Sequence, residues 1–129
     1  MKGTQMRTPM SRVRGLGAAH TGTQTFWHQR ITSVAGIPLC IAAIIVIIAL
    51  LGRNHAAVVQ ILGSPLVAII MLLFVVNTVY HMWIGLQEII VDYVHEDKLK
   101  LACLMGNTFF VFAITFASAF AILKLSFGV

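Results

Sequence analysis

Three apolar runs, residues 31–51, 65–90 and 101–127, dominate this chain of 129 residues. At about 1.5 Å of rise per residue, each is long enough to cross a hydrocarbon core of about 30 Å as a helix. Backbone polar groups in lipid must be satisfied within the chain, and a helix does this segment by segment. With 59% hydrophobic and only 10% charged residues, the chain has no room for a soluble catalytic domain of roughly 100 residues. The sequence therefore predicts an all-α membrane protein with three transmembrane helices at 26–52, 65–94 and 100–127. These helices form an anchor domain, 25–129, behind a basic N-terminal tail, 1–24.

Charge sets the expected orientation. Lys2, Arg7, Arg12, Arg14 and Arg30 precede or open the first helix, and no acidic residue occurs before Glu88. The positive-inside rule puts the N-terminus on the cytoplasmic side, or on the matrix side in an organelle. The loop 52–64 is then external, the loop 92–100 with Lys98 and Lys100 internal, and the C-terminal end external. Lys124 sits near the external end, where a long side chain snorkels to the interface. A secretory signal fits poorly, since the first apolar run exceeds twenty residues and starts only after residue 30. An acid-free, Arg-bearing start is shared with organelle transit peptides, which leaves a mitochondrial inner membrane as the alternative to a bacterial one.

Local punctuation divides the spans. Thr23 and Thr25 offer capping hydroxyls before Phe26 and Trp27, an aromatic pair suited to the membrane interface. Pro38 falls inside the first helix. Gly52 ends that helix, residues 55–62 suit a short interfacial helix, and Ser64 with Pro65 reads as a cap followed by the first helical position. Cys40 and Cys103 lack ligand spacing and read as inert small hydrophobes.

The second span carries most of the chemistry. At about 100° per residue, Asn77, Gly85, Glu88 and Asp92 all fall within about 40° of His81, so one helical face is polar. His81 lies about 16 Å from Asp92 along the helix axis, a depth suited to a buried cofactor or a proton path. Gly85, one turn on, would let a flat ligand or another helix come close to the backbone. Neutral imidazole ligates haem iron, and low-spin electron-transfer haems take two axial ligands. No other histidine lies deep in a span: His28 is placed at the opening of the first helix, His55 outside and His95 in the inner loop. A second ligand would have to come from another chain. From spacing alone a lone intramembrane histidine equally suits a cross-helix hydrogen bond, and a polar stripe equally suits a helix contact seam.

The run from His81 to His95, HMWIGLQEIIVDYVH, resembles the D-type small membrane-anchor subunit of succinate dehydrogenase, respiratory complex II. That pattern has a histidine, a glycine four residues on, a glutamine two further, and Asp-Tyr-Val at the helix end; here these are His81, Gly85, Gln87 and Asp92-Tyr93-Val94. The resemblance implies half of a heterodimeric anchor bundle completed by a larger cytochrome b anchor subunit. It implies that His81 is an axial iron ligand of a shared haem b and that Arg30, in Phe26-Trp-His-Gln-Arg30, faces the haem propionates. It also implies that Tyr93 hydrogen-bonds a ubiquinone carbonyl, with Asp92 setting the polarity and proton supply of that site. Glu88 departs from the pattern, in which that position is usually apolar. It would pair with a partner-chain cation or pass protons toward the quinone.

Succinate oxidation itself has no home in the chain. No Gly-rich dinucleotide fingerprint is present for a flavin, and two isolated cysteines cannot ligate iron–sulfur clusters, so FAD and those clusters are expected only in partner subunits. Nucleic acid is not an expected partner. The alternative reading is a subunit of a proton or ion transporter with His81, Glu88 and Asp92 as a relay.

Overall fold

A computed structural model describes residues 8–15 and 22–128. Lys2 and Arg7 of the basic tail lie outside the described residues. The elements, in chain order, are α1 (Pro9–Val13), α2 (Gly22–Leu50), α3 (His55–Leu62), α4 (Pro65–Tyr93) and α5 (Asp97–Phe127). The described residues contain no strand, and α2, α4 and α5 are each long and apolar enough to cross a membrane. This is an all-α membrane protein.

The spanning helices run past the apolar stretches that predicted them. At 29, 29 and 31 residues they are about 43 to 46 Å long, so their ends reach beyond a hydrocarbon core of about 30 Å. On α2 the extension is at the start: the helix begins at Gly22, which places Thr23 and Thr25 inside its first turn rather than before it. His28 is likewise almost two turns into α2 rather than at its opening. Pro38 is accommodated within α2.

The connection between α2 and α4 is built as its residues suggest. Gly52 takes a left-handed φ of 72°, a conformation that costs a residue without a Cβ little. Asn54 caps α3, its side chain accepting a hydrogen bond from the Ala57 N–H at 2.9 Å. Ser64 is the N-cap of α4 and Pro65 follows it, but the Ser64 hydroxyl donates back to the Ile61 carbonyl at 2.8 Å instead of capping α4. Between α3 and α4, Gly63 lies against the last turn of α5: a Cβ there would stand 2.8 Å from the backbone oxygens of both Leu125 and Val59. Two backbone atoms cannot step aside cheaply, so Gly63→Ala is expected to cost about 1 to 3 kcal/mol. The check is a lower midpoint of thermal aggregation for the detergent-extracted protein.

Helix α4 is the central element. It packs against α2 on one side and α5 on the other, while α2 and α5 make no Cα approach within 8 Å. Small or slender residues line these seams, with Ala43, Val46, Ala68, Val79 and Ile84 buried. Polar bonds cross them too. Asn107 of α5, itself buried, donates to the Trp83 carbonyl of α4 at 3.2 Å, and Asn77 of α4 donates to the Thr32 carbonyl of α2 at 3.0 Å. Such bonds average roughly 0.6 kcal/mol in a membrane protein, and they fix which faces meet. The outward faces are apolar, as in Ile41, Ile44, Ile45 and Ile48 of α2 and Phe109, Phe112, Phe116 and Phe120 of α5. Hydrocarbon solvates such a surface and water does not.

Candidate functional site

The polar face of α4 meets the N-terminal half of α2. His81 is half-buried there, and its Nδ1 lies 2.9 Å from the hydroxyl of Thr32, a buried residue of α2. One imidazole nitrogen thus makes the cross-helix hydrogen bond that spacing alone allowed. The other, Nε2, has no hydrogen-bond partner among the described residues. Gly85 is covered from within the chain: a Cβ there would meet the Gln29 amide nitrogen of α2 at 3.8 Å, an ordinary contact. Packing inside this chain therefore does not require glycine at that position. Gly36 is the tighter glycine, where a Cβ would come within 3.3 Å of the Asn77 amide nitrogen.

Arg30 and Glu88 are brought to one place. They line a half-open cavity of about 470 Å³ between the N-terminal end of α2 and the C-terminal part of α4, together with Gly22, Thr25, Phe26, Gln29 and Ser33. The Arg30 guanidinium sits over the Phe26 ring, 5.1 Å from its centroid, a contact that holds the cation while leaving its N–H groups free to bind an anion. Gln29 Oε1 is buried and has no hydrogen-bond partner among the described residues. Glu88 is exposed within this chain and has no ion-pair partner among the described residues.

Asp92 and Tyr93 close α4 and are both exposed, Tyr93 to 78%. They do not line the Arg30–Glu88 cavity. Nor do hydrogen bonds join His81, Glu88 and Asp92 among the described residues, so the three form no continuous relay inside this chain. Just beyond the helix, the His95 ring nitrogen Nδ1 donates to the Tyr93 carbonyl at 3.1 Å.

Sequence reasoning missed a second polar cluster. On the adjoining face of α4, the Tyr80 hydroxyl lies 2.8 Å from His28 Nδ1, and both line a cavity of about 340 Å³ with Gln24, Thr25, Trp83, Ile84 and Gln87. The signal that could have found it is Tyr80 and Gln87 at helical spacing, paired with the polar opening of α2.

The donor set can be tested against a haem. Among the described residues no group of three or more His, Cys, Asp or Glu side chains could enclose a bare metal ion. A single imidazole suffices for a metal only where a macrocycle supplies the other in-plane ligands, as in haem. His81 with an unpartnered Nε2, and a guanidinium lining a polar cavity, fit such a group and its propionates.

Comparison with known proteins follows the same line. Residues 4–120 match the model of the family described as succinate dehydrogenase/fumarate reductase transmembrane subunit. A Paracoccus denitrificans protein named succinate dehydrogenase hydrophobic membrane anchor subunit is 30% identical over 121 residues, covering 94% of this chain and 93% of that protein. No solved structure matches the chain. With nearly its whole length matched, the chain belongs to the transmembrane-subunit family of succinate dehydrogenase and fumarate reductase.

Proposed function

We propose that the chain is the small membrane anchor of a succinate:ubiquinone oxidoreductase, one half of a heterodimeric bundle whose other half is the larger cytochrome b anchor subunit. It tethers the flavoprotein and iron–sulfur subunits, which carry FAD and the clusters, to the inner face of a bacterial cytoplasmic membrane. The N-terminus is inside and the C-terminus outside, and a mitochondrial inner membrane is the organelle equivalent. The observation that supports this most is His81, an imidazole in the middle helix with one nitrogen engaged inside the chain and the other without a partner among the described residues.

Each side chain has a task on this reading. His81 would hold the haem iron through its imidazole, and the larger anchor subunit would contribute a second histidine. Arg30, held by Phe26, offers bidentate charge-assisted bonds to the propionates. Haem b, when bound, accepts and passes on single electrons. At the inner end of α4, Tyr93 donates a hydrogen bond to a ubiquinone carbonyl, and Asp92 keeps that end polar and supplied with protons. The exposure of Tyr93 accords with a quinone pocket whose other walls belong to partner subunits.

The test is gentle detergent extraction followed by analysis of what co-purifies. A flavoprotein, an iron–sulfur protein and a second anchor chain, together with a reduced-minus-oxidised haem b spectrum, are expected. A colourless preparation lacking the flavoprotein would overturn the assignment.

Glu88 serves as an interface carboxylate that pairs with a cation of the larger anchor subunit. Its exposure in the isolated chain and the absence of an ion-pair partner among the described residues both favour this. Glu88→Gln is expected to lower the yield of intact complex several-fold by leaving the partner's cation unpaired. Fully assembled complex with slowed proton uptake would point instead to proton transfer.

A further inference from the structure

Thr32 has no role in the family pattern described above, yet it makes two hydrogen bonds to the proposed ligand helix. It is 9% exposed. Its carbonyl accepts from Asn77, one turn before His81 on α4, and its hydroxyl meets His81 itself. Two bonds to one face of α4, plus the stiff χ1 of a β-branched residue, leave the hydroxyl oxygen little freedom to wander.

The hydrogens around that oxygen can be counted. A threonine hydroxyl has one proton to give and two lone pairs to receive. Thr32 Oγ1 lies 2.8 Å from the His28 carbonyl and 3.1 Å from the Gln29 carbonyl, groups that only accept, so its proton is directed to them. The third neighbour, His81 Nδ1 at 2.9 Å, therefore donates to Oγ1. The opposite tautomer would place an N–H on Nε2, where no acceptor exists among the described residues. An N–H left without an acceptor in an apolar setting is unfavourable.

We propose that Thr32 is a positioning residue for His81: its hydroxyl accepts the Nδ1 proton, fixes the ring's tautomer and rotation, and leaves the Nε2 lone pair free for iron. The proposal rests on the haem reading above. A hydrogen bond from the far nitrogen orients a ligating imidazole and makes it a stronger donor. A stronger donor favours the ferric state, so losing the bond raises the reduction potential.

The experiment uses the intact complex in its own membranes, with wild type, T32V, T32S and H81A compared. T32V keeps the shape and removes the hydroxyl, and T32S restores it. T32V is expected to shift the haem midpoint potential upward, move the low-spin electron paramagnetic resonance signal, and lose haem about tenfold faster in detergent. T32S is expected to match wild type in all three. If T32V matches wild type while H81A loses the haem signal, the Thr32 assignment is overturned and the haem reading stands. If H81A leaves the spectrum unchanged, the haem reading itself falls, and the Thr32 assignment with it. Equal shifts in T32V and T32S would reduce Thr32 to packing and overturn the proposal. Should T32V fail to assemble, T32C carries the test, its thiol being a much weaker acceptor: an upward shift supports the assignment and a wild-type potential overturns it.

Discussion

His81→Ala is expected to remove the low-spin haem b spectrum from the complex. Loss of an outer hydrogen-bond partner of a metal ligand already costs about 10- to 100-fold in metal affinity, so loss of the ligand itself is expected to exceed about 100-fold. The surrounding fold should tolerate the change. His81 is only half-buried, the α2–α4 seam keeps its Asn77–Thr32 bond, and Ala43, Val46, Ala68 and Ile84 stay buried. The complex should therefore still assemble and pass electrons from succinate to a soluble dye, an activity of the partner subunits. Optical difference spectra and dye reduction measured on the same membranes separate loss of the ligand from loss of the complex. An undiminished spectrum would remove His81 from the iron.

Tyr93→Phe should act on the other end of the same helix and spare the haem. The substitution deletes one hydroxyl from a residue that is 78% exposed, and surface changes of this kind usually move stability by no more than about 0.5 kcal/mol. If that hydroxyl holds the quinone oxygen as charge develops, its loss should slow succinate-dependent ubiquinone reduction by roughly 100-fold, the scale of deleting one preorganised donor. Haem content and dye reduction should stay at wild-type levels. Equal ubiquinone turnover in Tyr93→Phe and wild type would take the phenol out of the quinone site.

Much of the fold could be read from composition and punctuation. The three apolar runs became three spanning helices, and the segment expected as a short helix is α3, His55–Leu62. The start of α2 lies earlier than its threonines suggest, because the hydroxyl-rich segment that reads as a cap is itself helical from Gly22. At the site, the polar face of α4 was legible because helical spacing is a local property. Its partners were not. Thr32 and His81 are 49 positions apart and His28 and Tyr80 are 52 apart, so their meeting depends on the register of α2 against α4, which no local period encodes. Glu88, Asp92 and Tyr93 are exposed in this chain; on the proposed reading, other polypeptides would supply the walls around them.

Helix α4 is continuous from Pro65 to Tyr93, with no break between the imidazole and the phenol. Twelve residues at about 1.5 Å each set the two groups roughly 18 Å apart along one rod. Their axial separation is thus written into a residue count and does not depend on how neighbouring polypeptides dock. One added residue anywhere between them would swing the phenol by about 100° around the rod while leaving the imidazole in place. The length of that stretch is therefore constrained separately from the side chains that fill it.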